Sequence, residues 1–208
     1  ATCSITPKLF FNGGFAAFTG VLADDVRLAY AAGVTSETFV AGGTLAVSNT
    51  TIRLAENFST ARGMLRLNGG RVITRGISRQ GSGVGELYLN GGILQSCQNM
   101  TLTNLSSAVV QAGGFVTDVP AGLTLTLRQT LTHDAALGGT PDGGLVKLGA
   151  GTLNVDVDQT YTGPTVVSGG VLRVDGTLAV TNLALSGGAT LSLANGEVQV
   201  FAPSAFAA

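Results

Sequence analysis

Tryptophan is absent from this 208-residue chain, histidine occurs once, cysteine twice, and charged residues make up only 11%. Each scarcity removes a class of function. One histidine and two cysteines do not supply the ligand spacing of a zinc or related metal site. A net charge of −1 and a sequence pI near 5.7, with no recognition motif, exclude a dedicated nucleic-acid-binding domain. No phosphate-cradling glycine motif and no nucleophile elbow occurs, so neither a cofactor nor a metal is expected. No apolar run reaches the length of a membrane span. The opening ATCSITPK has neither a start methionine nor a signal-peptide h-region, as expected if a secretory leader is removed before Ala1. Disorder is excluded as well, because 45% of the residues are hydrophobic and the net charge is close to zero.

What is abundant is glycine, at 31 residues, about double the usual share. Much of it comes as Gly-Gly inside alternating apolar runs. Residues 39–47 read FVAGGTLAV, 64–73 MLRLNGGRVI, 86–94 ELYLNGGIL, 109–116 VVQAGGFV, 165–174 TVVSGGVLRV and 183–193 LALSGGATLSL. Gly69, Gly91 and Gly113 are spaced by 22 residues each. Alternation marks strands, and glycine pairs weaken strand interiors, so the pairs mark corners. An antiparallel sandwich with Asn-Gly hairpins is the competing fold. The even spacing decides against it, since hairpins vary in length while stacked coils need similar circumferences. The expected fold is an all-β, right-handed parallel β-helix with coils of about 20–25 residues. Residues 20–33, GVLADDVRLAYAAG, with Thr19 before them and Gly33 at their end, predict a short capping helix. The division expected is an N-terminal arm over 1–38, a solenoid body over 39–197, and an apolar edge strand and tail over 198–208.

One stretch carries a resemblance. Within residues 143–176 stand Gly144, Leu145, Lys147, Gly149, Gly151, Thr152, Leu153, Tyr161, Thr162, Gly163, Thr165, Val167, Gly170, Leu172 and Val174. This pattern resembles the autotransporter-associated β-strand repeat. Pro164 stands where a second glycine is common, and Asp156 and Asp158 occupy a usually neutral strand end. The resemblance implies a bacterial β-helix carried outside the cell, as a passenger or a surface protein. It transfers no catalytic residue.

Catalytic candidates are few. His133 is followed by Asp134, but no third member of a triad is identifiable. Asp24 and Asp25, and Asp156 and Asp158, are the tight acidic groups, and read as solvated surface. The expectation is a protein that is not an enzyme.

Charge and the ends say more. Six of the eleven basic residues, Arg53, Arg62, Arg66, Arg71, Arg75 and Arg79, fall in one stretch opposed only by Glu56. Arg62, Arg66, Arg71, Arg75 and Arg79 are the candidate site for acidic glycans or other polyanions. Phe10, Phe11, Phe15 and Phe18 crowd the start, while Val198, Val200, Phe201 and Phe206 form an apolar finish. A stacked β body exposes unpaired edges at both ends, so these eight residues are the candidate assembly interface. Cys3 and Cys97 are the candidate disulfide. At about 22 residues per coil they stand about four coils apart, on the order of 19 Å, too far for a bridge unless the N-terminal arm folds back or the partner is another subunit. The functional expectation is a non-enzymatic, extracellular structural subunit that assembles end to end into a filament. The alternative is a passenger acting as an adhesin or glycan binder.

Overall fold

The computed structural model describes residues 8–17, 26–29, 31–56 and 58–200. The chain winds as stacked coils. β1 (Lys8–Ala17) and β2 (Val26–Leu28) form the first, and β3 (Thr35–Val47) and β4 (Ile52–Glu56) the second. The next three each carry three strands: β5 (Arg62–Leu67), β6 (Arg71–Thr74) and β7 (Ile77–Gln80); β8 (Val84–Leu89), β9 (Ile93–Ser96) and β10 (Met100–Leu102); β11 (Ser107–Val110), β12 (Phe115–Asp118) and β13 (Thr124–Leu127). Then come β14 (Leu131–His133), β15 (Leu145–Leu148) and β16 (Thr152–Val155), followed by β17 (Thr165–Val167) and β18 (Val171–Val174). The stack closes with β19 (Thr177–Val180), β20 (Leu183–Leu185), β21 (Thr190–Leu193) and β22 (Glu197–Val200).

Every strand pairing among the described residues is parallel. The fold is the expected parallel β-solenoid, with three faces. The first runs through β5, β8, β11 and β14, and the second through β6, β9, β12, β15, β17 and β20. The third comprises β2–β4–β7 and β10–β13–β16–β18–β21. In the first two coils β1 and β3 pass through the corner between first and second faces without a break, so those faces form one sheet.

Alternation sends every second side chain inward, and the inward ones stack in columns. Leu65, Leu87, Ala108 and Leu131 are register partners, as are Val40, Leu67, Leu89 and Val110, and all are 0% exposed. Apolar burial at about 25 cal/mol per Å² is the driving term. The glycine pairs serve two different corners. Gly69–Gly70 turns the chain from first to second face, whereas Gly169–Gly170 turns it from second to third. Gly70 holds φ 64°, and a Cβ there would lie 2.7 Å from the Gly42 backbone of the coil before. Close corner stacking therefore requires glycine, for its conformation and for its missing side chain.

The helix expected over 20–33 is corrected where the chain is described. Val26–Leu28 is strand β2, paired with Ile52–Leu54, and residues 18–25 and 30 lie outside the described part. Val26 and Leu28 alternate around Arg27, a strand period, and a waiting parallel edge overrides local helix propensity. Among the described residues the one helical turn is 3-10, at Ala135–Leu137.

Candidate functional site

The arginines form a belt around the body and not a patch on one side. Arg62 and Arg66 lie on the first face, Arg71 on the second, Arg75 at the corner beyond it, and Arg79 on the third. Each ties one coil to another. Arg62 donates two hydrogen bonds to Glu86, at 2.9 and 3.0 Å. Arg66 pairs with Glu37 and lays its guanidinium 3.9 Å from the Tyr88 ring centroid. Arg71 bridges to Asp118 at 2.8 Å. Arg75 instead meets Gln98 and the Asn49 carbonyl, and Arg79 meets Asn104 and the Gly83 carbonyl. Five clustered basic residues thus divide into three that are ion-paired and two bonded to neutral acceptors. The clustering was legible in the sequence but the carboxylates were not, since they come from coils one or two removed, 24 to 47 positions away.

His133 does find an acid, but Asp142 and not the adjacent Asp134. Its Nδ1 lies 3.0 Å from Asp142 Oδ2 and 3.0 Å from Thr162 Oγ1, while Nε2 faces the Gly138 carbonyl at 3.2 Å. Asp134 caps the 3-10 turn through the Ala136 N–H and accepts from Gln111. The Asp142 side chain is 0% exposed. It accepts the backbone N–H groups of Thr162, Gly144 and Gly163 at 2.8–2.9 Å. Burial alone raises its carboxyl, but the Thr162 N–H, His133 and the two glycine N–H groups outweigh this and hold it below the ordinary range. The hydrogen bond that the ring donates to Asp142 lifts the His133 pKa. Acid and hydroxyl meet the same ring nitrogen, and the other nitrogen is engaged by a carbonyl. That arrangement pins a corner; it does not present the relay of a nucleophilic triad. Asp142 was visible in the sequence only as the turn signal Asp-Gly.

Lys147 is fully buried, and its ammonium reaches the carbonyls of Leu148, Gly149 and Gly169 at 3.3, 2.9 and 2.9 Å. Burial lowers its pKa, partly offset by the field of Asp118. Asp156 pairs with Arg128, and Asp158 accepts the Thr177 N–H, so the two carboxylates serve separate neighbours. Among the described residues no cluster of acids, histidines or cysteines is arranged to hold a metal.

At the N-terminal edge Leu9, Phe10 and Phe15 are 49, 55 and 71% exposed, and Phe10 stacks on Phe39 at 4.7 Å. Phe11, half-buried, and Leu9 line an apolar hollow with Val26, Leu28, Leu45 and Leu65. At the other edge Leu185, Leu193 and Val200 are about half exposed, and Val198 is half-buried. Phe18, Phe201 and Phe206 lie outside the described residues. Cys97 is an exposed thiol 3.5 Å from the Ser48 carbonyl. Cys3, its candidate partner, also lies outside them.

A three-faced solenoid with glycine corners and a buried lysine under one of them defines a class of repeat, and the comparisons with known proteins agree. Residues 145–174 match the family model described as passenger-associated-transport-repeat. The motif residues have physical jobs in this structure. Leu145, Leu153, Val167, Leu172 and Val174 fill inward columns, and Lys147 and the Tyr161 hydroxyl, bonded to Thr165, satisfy buried polar groups. Over 127 residues, 60% of the chain, the sequence is 35% identical to the adhesin BmaC autotransporter of Brucella suis biovar 1 (strain 1330). The chain spans 3% of the length of that relative. No solved structure matches. The matched repeat and the relative together point to a secreted, cell-surface location.

Proposed function

We propose that the chain is a passenger segment acting as an adhesin, a rigid non-catalytic body that presents its faces to ligands outside the cell. The observation that carries this is the parallel solenoid built on a passenger repeat, together with the resemblance to an autotransporter adhesin. Acidic glycans are the proposed ligand class. Arg75 and Arg79, bonded to neutral acceptors, keep charge available for a polyanion, whereas Arg62, Arg66 and Arg71 are engaged by carboxylates. The test is binding of the purified chain to immobilised heparin and polygalacturonate across a salt titration. Salt-sensitive binding that drops in Arg75→Gln/Arg79→Gln is expected. Binding that ignores both salt and this substitution would sink the glycan reading.

End-to-end assembly is the second reading. It is supported by the half-exposed apolar side chains on the open edges at both ends of the described stack. Electron microscopy of concentrated protein tests it, and a field of single particles would count against it.

A further inference from the structure

We propose that β22 of one copy pairs in parallel with β1 of the next in one register: Glu197 opposite Lys8, Val198 opposite Leu9, Gln199 opposite Phe10, and Val200 opposite Phe11. This rests on the end-to-end reading and supplies its geometry.

The first face is a continuous lattice from one end to the other. Phe10 pairs with Phe39, Phe39 with Arg66, Arg66 with Tyr88, Tyr88 with Val109, and Val109 with Thr132. Thr132 bridges to Thr160, and Gln159 bridges to Leu178, which sets Ala179 on the same column. Ala179 pairs with Gln199. The column headed by Phe10 therefore ends on Gln199. By the same register the columns headed by Lys8, Leu9 and Phe11 end on Glu197, Val198 and Val200. A second copy that continues the lattice has no freedom in what it sets against what.

The resulting neighbours are complementary. Lys8 is 51% exposed and already pairs with Glu37 on one side at 3.2 Å. Glu197 would flank its open side, repeating the inter-coil pairing that Arg62 makes with Glu86 on the same face. Val198 and Val200 continue inward columns over Leu9 and Phe11, and cover the apolar hollow those residues line. Among the described strands β1 has one ladder partner, β3, and β22 has one, β19. An edge offering free backbone groups beside exposed apolar side chains takes up another strand readily. Head-to-head contact would oppose two lysine-bearing edges, and tail-to-tail contact two glutamate-bearing ones. The head-to-tail joint is heterologous and does not close, so it propagates.

The test uses the full chain with Cys3→Ser and Cys97→Ser, carrying Phe10→Cys in one preparation and Gln199→Cys in another. Parallel neighbours lie within disulfide reach. Under mild oxidation a linked dimer is expected on mixing and from neither preparation alone. A linked dimer from Phe10→Cys alone, or none on mixing, would overturn the register. In the native background Lys8→Glu and Glu197→Lys should each weaken association about tenfold at low salt, with the doubly substituted chain recovering. Singles that associate like the parent would also overturn it. A folded monomer that still binds surfaces removes this joint and leaves the adhesin reading standing. Filaments that bind no surface do the reverse.

Discussion

Along the first face from β5 to β14 successive register partners are 21 to 23 residues apart, and the two central inward columns are built of Leu, Val and Ala as far as His133. Along the third face from β13 to β21 the step is 28, then 19 and 19. The interior of those same coils takes in Lys147 and Gln159 on the other two faces, and Asp142 is buried at a corner. The two regions join coil to coil differently. Even coils place backbone over backbone, so the ladders satisfy themselves, and outward arginines such as Arg62 add ties at the surface. The long coil carries an excursion over 134–143 and then returns to the corner stack, where the Gly143 N–H donates to the Gln111 carbonyl at 2.9 Å. Around that excursion buried side chains meet backbone groups directly. Gln159 takes the Leu131 N–H, Asp142 takes three N–H groups, and Lys147 takes three carbonyls. A change of coil length is therefore tolerated where buried polar side chains fill the ladder's gaps, because unpaired buried backbone groups are costly.

The sharpest way to break the contrast is at Asp142. Asp142→Ala strands three N–H groups and the His133 ring at once, and should cost about 3–5 kcal/mol of unfolding free energy in urea. Asp142→Asn keeps an acceptor and should recover part of it. Equal loss in the two variants would mean that the carboxylate is not what holds the corner. Lys147→Met comes next. It preserves volume and leaves carbonyls unmet, for about 1–3 kcal/mol. A Met variant as stable as the parent would show that the ammonium adds nothing beyond packing.

The regular region was the legible one. Alternation and the 22-residue glycine step specify stacked parallel coils, because both are local signals of a backbone that repeats. What escaped was whatever depends on coil length. The glycine pairs look alike in sequence, yet Gly69–Gly70 stacks on the Gly42–Gly43 corner and Gly169–Gly170 on the Gly149–Gly151 corner, which alternation alone does not distinguish. His133 invited pairing with Asp134, its neighbour. The 3-10 turn then claims Asp134 as its cap and brings Asp142 back to the ring. The arginines read as a single band, but three faces to a coil spread them around the axis.

A smaller effect sharpens the other half of the comparison. The Arg62–Glu86 pair joins two even coils at the surface, with the arginine side chain 48% exposed. A double-mutant cycle with Arg62→Gln and Glu86→Gln should return a coupling of about 0.2–1 kcal/mol, fading as salt rises. A coupling as large as the loss in Asp142→Ala would erase the distinction between surface ties and buried ones.

The smallest effect is a pH dependence carried by one residue. His133 faces acceptors from both nitrogens, Asp142 at Nδ1 and the Gly138 carbonyl at Nε2, and only the imidazolium donates to both. Its folded pKa is accordingly raised above the ordinary 6.5. A cation favoured in the folded state adds stability that is fully present below the unfolded value and lost as pH rises through the folded one. Asp142 has the opposite sense. Its lowered pKa makes its contribution present at neutral pH and lost only in acid. Between these limits the parent's thermal midpoint should decline gently from about pH 6 to about pH 8. His133→Gln should flatten that decline while leaving the acid limb, which belongs to the carboxylates. A decline of unchanged slope in His133→Gln would place the titrating group elsewhere and leave the ring as a passive filler of the corner that Asp142 holds.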